Sequence, residues 1–88
     1  MKRSYKIVNK LGLHARAAAQ FVKLAATFDA ELTIAKDDQD VNGKSIMGIM
    51  MLAAGIGSVI DLEATGSDEE ALLDALGALI NAKFNETQ

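Results

Sequence analysis

The chain has 88 residues, half of them apolar, enough for one packed core and too few for a second core or a long linker. With no cysteine and a single histidine, disulfides, thiolate metal sites and multi-histidine zinc sites are excluded. The net charge of −3 hides an asymmetry, because Lys2, Arg3, Lys6, Lys10, Arg16 and Lys23 fill the first quarter without one acid, while acids dominate from Asp61 onward. That asymmetry fits either two ordinary solvated faces or a basic docking face for an acidic partner.

Lys2, Arg3, Lys6 and Lys10 interrupt any apolar run at the start, so no secretory core is expected there. Tyr5, Ile7 and Val8 predict a strand near residues 3–8, followed by a loop over Asn9–Gly12. From Ala15 to Phe28, apolar residues recur at helical spacing through Ala18, Phe21, Val22 and Ala25. Leu32 and Ile34 alternate with Glu31 and Thr33, as in a half-buried strand. Asp37–Asp40 reads as a polar turn, and Val41–Gly43 as a short strand.

Ser45 is suited to cap a short helix over Ile46–Ala53, which Gly55 and Gly57 can end. The near-apolar stretch Ile46–Gly57 is too short and too rich in glycine to span a bilayer. Its methionines Met47, Met50 and Met51 read first as core filler, and second as an adaptable contact surface. Ile60, Leu62 and Ala64 mark a last strand. Ser67 with Glu70 forms a capping-box pattern for a final helix through Leu72, Leu76, Leu79, Ile80 and Lys83, the lysine serving its negative end. The order β-α-β-β-α-β-α suits an α+β domain with helices on one face of an antiparallel sheet. It does not fix the strand order.

His14 stands between a loop and a helix, with Arg16 two residues on. The first helical N–H groups have no carbonyl partners, and the helix dipole adds positive potential there. An anion beside His14 would meet those donors, and Arg16 offers a planar fork for phosphate oxygens. Neutral imidazole is a nucleophile near neutral pH. The same residues also fit a plain helix cap and a solvated arginine.

The segment Asn9-Lys-Leu-Gly-Leu-His-Ala-Arg-Ala-Ala resembles the active-centre signature of HPr, the histidine-containing phosphocarriers of the phosphoenolpyruvate:sugar phosphotransferase system. Asn42-Gly-Lys-Ser-Ile-Met-Gly-Ile-Met resembles the family's second signature, around its regulatory serine, and the separation of the two also matches. The resemblance spans nearly the whole chain, through Leu62-Glu-Ala-Thr-Gly and the last helix. It implies a single HPr-like domain over residues 1–88, an open-faced β-sandwich with strands in order 1-4-2-3 and three helices on one side.

The resemblance further implies a stoichiometric phosphocarrier rather than an enzyme, cytoplasmic and monomeric, with no cofactor, metal, nucleic acid or membrane insertion. His14 would accept a phosphoryl group on Nδ1 from phosphorylated enzyme I and pass it to enzyme IIA domains, with Arg16 steadying the phosphate. Partners would dock on Ala15, Ala19 and Lys23 of the first helix and on Ile46, Met47 and Met50 of the second. Ser45 would be a regulatory site for an HPr kinase/phosphorylase. One departure stands out: the family usually has proline after the arginine, and here the residue is Ala17. A nitrogen-regulatory paralogue of the family is the nearest alternative. An acylphosphatase-like hydrolase is a distant one, because it leaves His-Ala-Arg unexplained. An RNA-recognition module would need aromatics on the sheet, and three of the four aromatics are expected on helices.

Overall fold

Period-two alternation decides which side of each strand is covered. In the strand Val59–Thr65, Ile60, Leu62 and Ala64 are buried while Val59, Glu63 and Thr65 face solvent; in Glu31–Lys36, Leu32 and Ile34 are buried and Glu31 and Thr33 exposed. A computed structural model describes residues 1–86 and gives the order β1 (Lys2–Lys6), α1 (Ala15–Ala25), β2 (Glu31–Lys36), β3 (Gln39–Asn42), α2 (Ile46–Met51), β4 (Val59–Thr65) and α3 (Glu69–Asn81). The strands lie in order β1-β4-β2-β3, each neighbouring pair antiparallel. Tyr5 pairs with Ile60, Leu62 with Ile34, and Ile34 with Val41, which lines the apolar side chains up across one face. The three helices cover that face. Phe21 of α1, Ile49 of α2 and Leu72, Leu73, Leu76 and Ile80 of α3 close a core with Ile34, Ile60 and Leu62. The expected architecture and strand order are both present.

Boundaries differ where side chains compete with the backbone. α1 stops at Ala25 rather than Phe28, because Thr27 Oγ1 donates to Leu24 O at 2.7 Å and the chain tightens into a turn, Phe28 N–H reaching Ala25 O at 3.1 Å. β3 begins at Gln39, earlier than expected. Lys36 pairs with Gln39, so the β2–β3 turn is only Asp37–Asp38, with Asp37 in the left-handed region at φ 55°.

The start of α3 is a correction. Its N-cap is Asp68, not Ser67, and Glu70 is not the returning carboxylate. Instead Glu69 Oε1 accepts from the Gly66 N–H at 3.1 Å, one position earlier in the chain. The Asp68 carboxylate is committed elsewhere, accepting from Asp29 and Ala30 N–H at 2.9 Å each and tying α3 to the approach to β2. The far end is a second correction. α3 stops at Asn81, so Lys83 is not in its last turn. Lys83, Phe84 and Asn85 form one tight turn with φ of 58°, 53° and 61°, left-handed at three successive non-glycine residues. Phe84 is buried at 1 % exposure and anchors it, offsetting backbone strain with apolar burial.

Candidate functional site

His14 is the N-cap of α1, extended at φ −74° and ψ 178°, and its side chain makes no capping hydrogen bond. The ring is therefore left for other work. The first helical bond runs from Ala18 N–H to His14 O at 2.8 Å, so the Ala15, Arg16 and Ala17 amides open the helix ahead of it. Arg16 is exposed, whereas Ala17 is fully buried. No acid lies in the first turn of α1 itself.

The loop that presents His14 is clamped to the connection between α2 and β4. Leu13 N–H donates to Ala54 O at 2.9 Å. Gly12 is at φ +66°, and a Cβ there would fall 2.5 Å from Ala54 O and 2.8 Å from Gly55 Cα. Both are backbone atoms, so only glycine fits this approach.

Sequence reasoning missed two residues. Glu86 Oε1 lies 2.6 Å from His14 Nε2, with the imidazole only about a quarter exposed. The same oxygen accepts from Asn9 Nδ2 at 3.0 Å, and that nitrogen also donates to Gly12 O at 2.8 Å. Burial pushes the Glu86 carboxyl up, but hydrogen bonds from His14, Asn9 and the Leu11 N–H, with the His14 charge, outweigh it and hold the group below its ordinary value. Asn9 is the one buried polar residue among the described residues. Neither residue carries a local signal: a loop asparagine is commonplace, and Glu86 lies 72 positions from His14. The left-handed turn anchored by Phe84 is what delivers Glu86.

The remaining expected residues lie on two helix surfaces. Ala15, Ala19 and Lys23 are exposed along one face of α1, at spacings of four. Ile46, Met47 and Met50 are exposed on α2, Met47 at 75 %, and Met51 is exposed as well. The first reading of the methionines, as core filler, is overturned; only Ile49 of α2 is buried. A hollow of about 300 Å³ lies between the loop that presents His14 and the end of α2, bordered by Leu11, Leu13, His14, Met50 and Ala53. A larger hollow of about 460 Å³ between Glu31–Thr33 and Asp40–Lys44 has neither His14 nor Arg16 at its rim. Ser45 caps α2, its Oγ accepting from Gly48 N–H at 3.1 Å.

The basic segment is divided. Arg3 pairs with Asp74 and, at 3.9 Å, Glu70 of α3, and Lys2 stands opposite Glu63 on the open face of the sheet. On α1, Arg16 and Lys23 remain on the outer surface. No group of three or more potential metal ligands occurs among the described residues, and no described helix is long and apolar enough to cross a membrane.

A four-stranded open-faced sandwich that holds a histidine at a helix N-terminus defines a class of small carrier domains, and the comparisons with known proteins name the family. A family model described as "PTS HPr component phosphorylation site" matches residues 1–82. The chain is 54 % identical over 86 residues to the phosphocarrier protein HPr of Neisseria meningitidis, covering 98 % of this chain and 97 % of that one. It is 46 % identical to the phosphocarrier protein NPr of Shewanella violacea, covering 98 % and 94 %. A crystal structure of HPr-C-His from Thermoanaerobacter tengcongensis superposes with a TM-score of 0.95 at 46 % identity, covering 100 % of this chain and 99 % of that one. The chain belongs to the HPr family of phosphocarriers.

Proposed function

We propose that the chain is a single phosphocarrier domain of the cytoplasm that takes a phosphoryl group on His14 Nδ1 from phosphorylated enzyme I and gives it to enzyme IIA domains. The observation that carries this is the Nε2 contact with Glu86 at 2.6 Å. A carboxylate accepts, so Nε2 holds the proton and Nδ1 keeps its lone pair. That lone pair attacks phosphorus, a new N–P bond forms, and the bond to the donor's histidine breaks, its electrons leaving with the donor. The ring gains positive charge as it does so, and Glu86 faces that charge through Nε2–H. The Ala15, Arg16 and Ala17 amides and the Arg16 guanidinium receive the phosphoryl oxygens. Transfer asks for positioning and charge stabilisation, and these groups supply both. The protein is consumed and regenerated in each relay rather than turning over a substrate of its own, and it acts as a monomer without cofactor or metal.

Ala15, Ala19 and Lys23 with Ile46, Met47 and Met50 form the docking surface. The exposed methionines suit partners of different shape. Ser45, on the edge of that surface, is the regulatory site for an HPr kinase/phosphorylase. The similarity to an NPr supports a second reading, a nitrogen-branch carrier with the same chemistry and different partners.

Incubation with enzyme I and phosphoenolpyruvate is expected to place one acid-labile phosphoryl group on the protein, absent from His14→Ala. An undiminished yield on His14→Ala would end this reading. Comparing acceptance by sugar-system and nitrogen-system enzyme I separates the two branches.

A further inference from the structure

We propose that Asn9 is a positioning residue: its amide holds the Glu86 carboxylate on His14 Nε2 and thereby makes Nδ1 the nucleophilic nitrogen. The inference deepens the phosphocarrier reading of His14 and rests on it. Three observations carry it. Asn9 Nδ2 and His14 Nε2 meet the same oxygen, Glu86 Oε1, at 3.0 and 2.6 Å, so the position of that oxygen is fixed by two donors. The same Asn9 nitrogen donates to Gly12 O at 2.8 Å, while the Gly12 N–H donates back to Asn9 O at 3.2 Å. The amide is thus locked to the loop that presents His14, and it carries that fixed geometry over to Glu86. Finally, Asn9 is fully buried and its Oδ1 has no partner. A buried acceptor without a donor is a cost that an apolar side chain would avoid. The residue is therefore not there to fill the core; what it contributes is the donor.

The chemical need is plain. A glutamate side chain ordered at a site gives up much rotamer freedom, and without the Asn9 amide on the oxygen that meets the ring, the Leu11 N–H alone is left to hold it there. A neutral imidazole then populates both tautomers, and the one protonated at Nδ1 cannot attack from that atom. Asn9 supports a ring whose tautomer is set by the partner of its other nitrogen, the arrangement by which outer groups fix liganding histidines.

The test uses the full chain with ¹⁵N-labelled histidine and asparagine, at a pH where the imidazole is neutral. In Asn9→Ala the Nε2–H tautomer is expected to lose its dominance, and phosphorylation of His14 by enzyme I to slow roughly tenfold, the scale of one charge-assisted hydrogen bond. In a Glu86→Gln background the same substitution should change the tautomer balance little, because Asn9 acts through that carboxylate. An unshifted tautomer in Asn9→Ala overturns the proposal, and so do equal effects of Asn9→Ala in both backgrounds, which would leave Asn9 a loop residue only. Glu86→Gln alone gives a check that needs no change at the buried position. The Asn9 side-chain amide signals should move in it, and unmoved signals overturn the proposal as well. The tautomer and amide readings come from unphosphorylated protein. A dominant Nε2–H tautomer with no phosphate accepted defeats only the phosphocarrier reading, whereas normal phosphorylation with an unshifted tautomer in Asn9→Ala defeats only this one.

Discussion

Arg16, second in α1 and exposed, has nothing to hold up in the fold. Arg16→Ala is expected to change unfolding free energy by no more than about 0.5 kcal/mol, as exposed substitutions usually do. Loss of its fork should weaken stabilisation of the transferring phosphoryl group by about 1.5–3 kcal/mol. Rapid-quench transfer rates with donor and acceptor, beside urea unfolding, check both halves; unchanged rates would assign the phosphate to the amides alone. Ala53 is a different case, a non-glycine residue at φ 50° just past α2. Ala53→Gly removes the Cβ conflict of the left-handed region and should stabilise by up to about 1 kcal/mol, read from the urea midpoint at constant slope. His14 was legible in the sequence because a loop, a helix start and an arginine two residues on are all local features. Asn9 and Glu86 were not, because their meaning comes from one oxygen shared between segments that no periodicity connects.

Elements were legible in kind and less so at their ends. Alternation marked β2 and β4 and helical spacing α1 and α3, since burial on one face imposes them, whereas β1, β3 and α2 were read from residue type, a turn and a cap. The caps divided. Ser45 does what a local rule expects, because its neighbours leave the hydroxyl free to turn inward onto Gly48. The box at α3 shifted because Asp68 serves Asp29 and Ala30, a tertiary duty invisible along the chain. Phosphate on Ser45 would face the unpaired amides of α2 and the positive end of the helix, so Tm should rise. The same charge sits beside exposed Ile46 and Met47, and would have to be desolvated against an acidic partner. Transfer to His14 should slow, and kinase-treated protein compared with untreated protein in a melt and a transfer assay measures both. A lower Tm would refute the capping argument. In α3, Gly77 lies under Tyr5, where a Cβ would stand 2.5 Å from the hydroxyl. That hydroxyl donates to Leu73 O at 3.1 Å, so it cannot simply swing away. Gly77→Ala should gain about 1 kcal/mol of helix propensity and lose about 1–3 kcal/mol to overpacking, a net destabilisation seen in urea unfolding.

Across the whole molecule, carboxylates join segments distant in sequence. Hydrogen bonds from the Asp29 N–H and then Ala30, against an opposing burial effect, hold Asp68 below its ordinary value. The Gly66 N–H and the terminal amine of Met1 do the same for Glu69, and Glu86 is depressed as well. Each lowered group contributes stability that is fully present above the unfolded carboxylate range of about 3.9–4.3 and is lost as pH falls through the depressed native value. Stability should therefore fall on acidification through that range, and Asp68→Asn should flatten the curve, measured as urea midpoints against pH. An equally steep curve in Asp68→Asn would remove Asp68 from the account. The separation of 72 positions between His14 and Glu86 has a kinetic consequence too. Closing so long a loop is entropically unrewarded until the sheet and α3 already hold its ends together. The imidazole is thus expected to acquire its partner among the last events of folding. In a stopped-flow refolding experiment its tautomer would serve as a clock, reporting the finished molecule while far-UV signals of helix and strand report earlier stages.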